Sequence, residues 1–179
     1  MIMSCSDKAT SPSDDYNFTV ITEPQPLNLI IETYKDDSLI DTVRIDTMIH
    51  ERPPDGLYYW AEYLTNQKVF NLRFYQYPVP EFDLYLEFES KSFKKGNFSL
   101  YQNISPHYLY YTNPVLDSLY DVDNGNFLIE EIKHFENTEG HYFISGEINV
   151  KFKKLENENY TTRVKIIYEN MEIYVKTYE

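Results

Sequence analysis

The side chains of this sequence whose types and spacing could do chemistry are few: four histidines, one cysteine and some clustered acids. His134 and His141 flank an acidic stretch holding Glu136 and Glu139, a set that could ligate a metal. That spacing enforces no ligand geometry, and the segment reads as a solvated hairpin loop. Asp121-Val122-Asp123-Asn124-Gly125 puts oxygen ligands at alternate positions before a glycine, as calcium loops do, but the bidentate acid of such loops does not follow. Asp, Asn and Gly are also ordinary turn residues, so the segment reads as a turn into a strand at Phe127. Ser145 beside Gly146 is not a nucleophile elbow, because that motif needs a helix after the turn and no helical pattern follows. Glu130 and Glu131 are adjacent on a strand pattern, point to opposite faces, and so cannot flank one glycosidic bond. No catalytic residue, metal site or cofactor is assigned.

Aromatic rings are the unusual resource, with 18 Tyr and 11 Phe in 179 residues and a single Trp. Tyr58 and Trp60 share one face of a strand, Tyr85 and Tyr174 fall on outward faces, and Tyr108, Tyr110 and Tyr111 cluster. Exposed rings stack on sugars and on peptides. A tyrosine also packs commonly at a sheet rim with only its hydroxyl wet, so the ring positions alone decide nothing. Tyr58, Trp60, Tyr85 and Tyr174 are the candidate ligand-binding residues.

The elements that must position them are strands. From about Tyr16 onward, runs of alternating apolar and polar residues recur at short spacing with turn residues between them. Phe70, Leu72 and Phe74 alternate with Asn71 and Arg73, and Phe82, Leu84, Leu86 and Phe88 alternate with Asp83, Tyr85 and Glu87. Leu57 to Leu64 is a further strand, and Tyr142, Ile144, Ile148, Val150 and Phe152 share a face with Gly146 between them. Lys35-Asp36-Asp37-Ser38 reads as a hairpin turn, and Asn113-Pro114 as the start of one helical turn reaching Tyr120. At the C-terminus Val164, Ile166 and Tyr168 form one alternating set and Met171, Ile173 and Val175 another, out of phase by one residue across Glu169-Asn170. A two-residue hairpin loop there would pair Tyr168 with Met171 and put all six on one face. The expected fold is all-β, an antiparallel β-sandwich, with a calycin-like β-barrel as the alternative.

Composition bounds the rest. A net charge of −13 and a sequence pI near 4.7 oppose binding to phosphate backbones, so nucleic acid is not an expected partner. The same charge is repelled by an anionic bilayer surface, and no apolar run is long enough to cross a membrane as a helix. Attachment to a membrane would therefore need a covalent anchor. With Cys5 the only cysteine, no disulfide within the chain can form and stability must come from packing.

Ile2-Met3-Ser4-Cys5 is the candidate for such an anchor: an apolar residue three before the cysteine and a small residue just before it resemble a lipobox. In bacterial lipoproteins the thiol at that position carries a diacylglycerol, and the signal peptide before it is removed, so such a signal is expected to precede Cys5. Residues 1–15 then form a lipobox remnant and polar tether, and 16–179 a single all-β domain. Gly96-Asn97-Phe98-Ser99-Leu100, Gly125-Asn126-Phe127-Leu128-Ile129 and Tyr142-Phe143-Ile144-Ser145-Gly146-Glu147-Ile148, in that order, resemble small Bacteroidetes-type lipoproteins of unknown function. The resemblance implies a compact β-domain lipid-anchored at the outer membrane of the cell envelope, facing the periplasm or the exterior, and implies no reaction. The expected partners are the membrane, through the N-terminal lipid, and an extracytoplasmic glycan or envelope protein. Two other roles stay open: a carrier of a small apolar ligand in a barrel cavity, and an accessory subunit acting by protein contacts alone.

Overall fold

The computed structural model describes residues 18–47, 56–77, 83–100, 120–154 and 157–177. None of these residues is helical. The strands are β1 (Thr19–Ile21), β2 (Leu27–Lys35), β3 (Ser38–Thr47), β4 (Gly56–Leu64), β5 (Val69–Tyr77), β6 (Asp83–Glu89), β7 (Gly96–Ser99), β8 (Tyr120–Phe135), β9 (His141–Lys154) and β10 (Asn157–Lys176). Cys5, the tether, His50, His107, the Tyr108–Tyr111 cluster and the proposed helical turn from Pro114 lie outside the described residues, save Tyr120, which opens β8.

All ten strands belong to one sheet. Its main path runs β1-β8-β9-β10-β4-β5-β6, with β2 and β3 branching from β10 and β7 from β8. Among the described residues the path ends at β1 and β6 without closing, so the fold is all-β and sandwich-type and not a closed barrel. The sheet is mixed and not purely antiparallel, because β1 runs parallel to β8 and β10 runs parallel to β4.

The three long strands β8, β9 and β10 serve both layers. Their β9 partners change at one line: β8 is irregular between Ile129 and Glu131, and β10 between Tyr168 and Met171, both facing Ile144, Ser145 and Gly146 of β9. An extra residue on one strand of a pair bends it and increases its twist. On one side of this line β10 pairs β2 and β8 pairs β7, and on the other side β10 pairs β4 and β8 pairs β1. Inward side chains of the two parts meet: Phe70 on β5 lies 5.3 Å from Phe127 on β8 and 5.7 Å from Phe98 on β7, ring centroid to ring centroid.

The alternation read from the sequence places the core. Leu29 and Ile31, Phe70, Leu72 and Phe74, Leu84 and Leu86, Ile148, Val150 and Phe152, and Val164 and Ile166 are all buried in one cluster. The β2–β3 hairpin turns at Asp36 and Asp37, both at positive φ (47° and 61°), the conformation a two-residue turn needs to match strand twist. Leu39 follows it exposed, because an irregularity at Thr33/Tyr34 shifts the register near the tip.

Two expected turns prove to be strand. Asp121 to Gly125 lies inside β8, where one extra residue between Val122 and Asn124 is absorbed as a bulge. Glu169-Asn170 is also a bulge and not a hairpin loop: β10 continues through it for 20 residues, with Ile166 opposite Ile148 and Ile173 opposite Tyr142. A bulge inverts the phase of alternation as a hairpin would, so Ile166 and Ile173 are nonetheless both fully buried on one side.

Asn170 holds this bulge. It sits at φ 55° and is buried. Its amide N–H donates to Ser145 Oγ (3.1 Å), its Nδ2 donates to the carbonyl of Pro26 (3.0 Å), and its Oδ1 accepts from Lys133 Nζ (2.8 Å). Asparagine tolerates the left-handed conformation better than alanine, because its short polar side chain can hydrogen-bond nearby backbone and offset the crowding of the Cβ that both residues carry. Asn170→Ala is expected to lower stability by about 2–3 kcal/mol through strain plus the unpaired buried groups left behind. Urea unfolding reads this, and a loss below about 0.5 kcal/mol, the ordinary surface range, would show that the side chain does not fix the bulge.

Candidate functional site

With Ala61 and Tyr63, Phe70, Leu72 and Phe74, and Leu84 and Leu86 turned inward, alternation sends the intervening residues of β4, β5 and β6 to the outer face. Register then sets them in rows across the strands. Trp60 on β4 lies opposite Arg73 on β5, which lies opposite Tyr85 on β6. In the next row Tyr174 on β10 lies opposite Glu62, Glu62 opposite Asn71, and Asn71 opposite Glu87. Tyr58 faces Tyr75, and their rings stack at 5.5 Å with 20° between planes.

The four residues picked from the sequence, Tyr58, Trp60, Tyr85 and Tyr174, therefore share one outer face. Trp60 is 40% exposed and Tyr174 39%, among the most exposed large apolar side chains described, while Tyr58 and Tyr85 are half-buried. The sequence did not reveal what surrounds them. Glu62, outward yet only 4% exposed, accepts from Asn71 Nδ2 (3.2 Å) and from Lys176 Nζ (3.0 Å). Tyr85 Oη donates to Glu87 Oε2 (2.8 Å). Tyr174 Oη donates to Glu172 Oε1 (2.9 Å), and its ring stacks on His141 at 5.0 Å and 18°. The His141 imidazole in turn contacts the Glu172 carboxylate. The Arg73 guanidinium lies 5.1 Å from the centre of the Tyr75 ring.

No family model, curated protein or solved structure matches this chain.

The other sequence candidates separate. His134 is paired with Tyr142, and His141 is the next residue along β9, so the two imidazoles fall on opposite faces of the sheet and do not converge on one ion. His134 Nε2 lies 2.9 Å from the carbonyl oxygen of Thr138 inside the turn between β8 and β9, the polar loop the sequence suggests. Ser145 Oγ is committed to the Asn170 amide. Glu131 forms an ion pair with Lys133 (3.1 Å), and Glu130 is the extra residue of the β8 bulge.

What the outer face can do chemically is hold a ligand. Its rings offer flat apolar surfaces, and the Arg73 guanidinium and Glu87 carboxylate set charged groups beside them. The Tyr85 and Tyr174 phenols stay neutral across the physiological range. Burial, with the hydrogen bond to Glu172 second, pushes Tyr174 up to about 12. Burial first and then the Glu87 hydrogen bond raise Tyr85, and burial raises Tyr59 and Tyr168.

These shifts set an alkaline limit. An unfolded chain loses its phenolic protons near the ordinary value of 10.0, whereas the folded chain keeps them. Their contribution to stability is thus full below pH 10 and is lost as pH rises through the folded values, about 12 for Tyr174 and higher for Tyr59, Tyr85 and Tyr168. The denaturation midpoint is expected to be flat from neutral pH to about 10 and to fall beyond it, with phenolate absorbance appearing together with unfolding. A midpoint that stays level to about pH 12 would contradict the burial of these hydroxyls.

Proposed function

We propose that this chain is a cell-envelope lipoprotein, lipid-anchored through Cys5 at the outer membrane, whose β-domain binds an extracytoplasmic ligand without catalysing its conversion. The single observation that carries the binding role is the convergence of Tyr58, Trp60, Tyr85 and Tyr174 on one outer face of the sheet, two of them prominently exposed. Contiguous exposed apolar surface rimmed by polar side chains is a feature of recognition surfaces, where Trp and Tyr rings carry much of the binding energy. The lipobox-like Ile2-Met3-Ser4-Cys5 supports the anchor, and the acidic composition supports a covalent one over a basic membrane patch.

Among the described residues the sheet is open, which weighs against the rival in which a barrel cavity carries a small apolar ligand. An accessory role through protein contacts would use this same face.

Trp60 is the only tryptophan of the chain, so indole emission reports on this face and nowhere else. The full chain, titrated with soluble glycans and envelope extracts, is expected to show a saturable emission change. Trp60→Ala is expected to weaken calorimetrically measured binding by about tenfold or more, while the melting temperature stays nearly constant because the ring lies outside the core. Binding that survives Trp60→Ala, or hydrolysis of a polysaccharide or ester by the purified chain, would contradict the proposal. Intact-mass measurement of protein extracted from membranes tests the anchor, with a diacyl-modified Cys5 expected.

A further inference from the structure

We propose that Arg163 and Lys151 form a second site, distinct from the face of β4–β6, that binds a phosphate monoester. They lie on the outer face shared by β2, the N-terminal part of β10 and the C-terminal part of β9. Val164 and Val150 are fully buried, so alternation sends Arg163 and Lys165 on β10 and Lys151 on β9 outward. Register puts Arg163 directly opposite Lys151 on one side and Tyr34 of β2 on the other. Side chains so opposed are rooted about 5 Å apart, and like charges in that position repel.

In a chain with 29 acidic and 16 basic residues, a carboxylate beside such a pair would be easy to supply. The acids at neighbouring positions are committed elsewhere. Glu147 forms an ion pair with Lys165 (3.0 Å), and Glu32 accepts from Tyr34 Oη (2.8 Å). Asp123, the extra residue of the β8 bulge beside Asn124, accepts from Asn124 Nδ2 (3.2 Å). Among the described residues neither Arg163 nor Lys151 has an ion pair or a side-chain hydrogen bond. Arg163 Nε is even buried without a hydrogen-bond partner, a state that a polar group keeps only at a cost. What holds the guanidinium is the Tyr34 ring, whose centre lies 3.9 Å from Cζ. Stacking fixes the head without consuming its N–H donors, so its terminal nitrogens are left for an acceptor from outside the chain.

The two facing charges set the ligand. A carboxylate or a sulfate ester brings one negative charge and leaves one cation uncompensated. A phosphate monoester brings about −1.5 to −2 at neutral pH and three strong acceptor oxygens, enough to engage the guanidinium fork and the ammonium together. A polyanion laid along the surface would also meet the net charge of −13, which a single phosphate group largely avoids. Soluble sugar phosphates and lipid headgroups both present that group.

Calorimetric titration of the full chain with glucose 6-phosphate at low salt is expected to show one saturable site, with glucose 6-sulfate and glucuronate at least about tenfold weaker. Arg163→Gln and Lys151→Gln are each expected to weaken glucose 6-phosphate binding by about tenfold or more. Lys151→Gln removes a repulsion, so its melting temperature is expected to equal or exceed that of the parent, and Lys151→Glu is expected to raise it further by pairing with Arg163. Sedimentation with phosphatidylcholine vesicles containing phosphatidic acid separates the sources. Co-sedimentation that Lys151→Gln abolishes assigns a lipid phosphate, and no co-sedimentation beside intact glucose 6-phosphate binding assigns a soluble one. A sulfate ester or carboxylate bound as tightly as the phosphate would overturn the ligand class. A lowered melting temperature of Lys151→Gln would show the lysine to be partnered and overturn the uncompensated pair. Absence of binding to both glucose 6-phosphate and phosphatidic acid, or binding unchanged in both glutamine variants, would overturn the site.

Discussion

Replacing Gly146 with alanine is expected to destabilise the domain by at least about 4 kcal/mol, most of the stability of a domain at the lower end of the ordinary range of about 5–15 kcal/mol. Gly146 lies in the middle of β9, paired with Tyr168 on one side and Ile129 on the other. Its φ of 158° falls at the edge of the region that glycine occupies freely. A Cβ there would overlap the carbonyl oxygen of Leu128 and come within 2.9 Å of Tyr168 Oη. The backbone oxygen cannot move without shifting β8. The tyrosine cannot move either, because its hydroxyl crosses the bare glycine to donate to that same Leu128 carbonyl while its ring packs 6.0 Å from Phe127. Alanine would therefore break a buried hydrogen bond, strain the backbone and push a core ring from its place, three separate costs. Urea unfolding of the variant measures the loss. A folded Gly146→Ala protein within about 1 kcal/mol of the parent would show that β8, β9 and β10 do not approach as described.

Phe70→Ala is expected to destabilise the domain by about 3–5 kcal/mol, the range for emptying a buried phenylalanine site. Phe70 is fully buried on the inner side of β5, with ring centroids of Tyr63 at 4.7 Å, Phe88 at 5.1 Å, Phe127 at 5.3 Å and Phe98 at 5.7 Å. These neighbours come from both layers, so the cavity would open where the two parts of the folded sheet meet. Neighbouring aromatic rings are rigid and collapse poorly into a void, which favours the upper part of the range. The contrast is Trp60, a larger ring on the outer face, whose removal should alter stability by less than about 1 kcal/mol. Unfolding midpoints of the two variants, measured side by side, separate core from binding surface. Losses of similar size would mean that the inner and outer faces are assigned wrongly.

Alternation is a local property, and what depends on it alone was legible in the sequence. The buried sets of β5, β6 and β9 and the Asp36-Asp37 turn follow from residues two apart or four in a row. The phase change between Tyr168 and Met171 was legible too, but not its form: a hairpin and a bulge both put Ile166 and Ile173 on the same side. What separates them is the buried Asn170 side chain, whose partners Pro26 and Lys133 are far away in sequence. Asp121 to Gly125 misleads for the same reason, since turn residues also suit a bulged strand. The candidate site divides likewise. Outwardness of Tyr58, Trp60, Tyr85 and Tyr174 comes from period-two counting within each strand. Their neighbourhood, with Glu62, Arg73, His141 and Glu172 among them, comes from the order β9-β10-β4-β5-β6, which joins strands distant in the chain and includes one parallel pair. No pattern within a single segment encodes that order.

The proposed binding role requires that one outer face, and not its counterpart on the other layer, receives the ligand. Amide and indole chemical-shift changes in isotope-labelled full-length protein, on adding a soluble glycan that quenches or enhances Trp60 emission, locate the contact. Changes are expected at the Trp60 indole and at Glu62, Arg73, Tyr85 and Tyr174. Changes gathered instead around Tyr34, Arg163 and Ile167, on the outer face formed by β2 and the N-terminal part of β10, would contradict it.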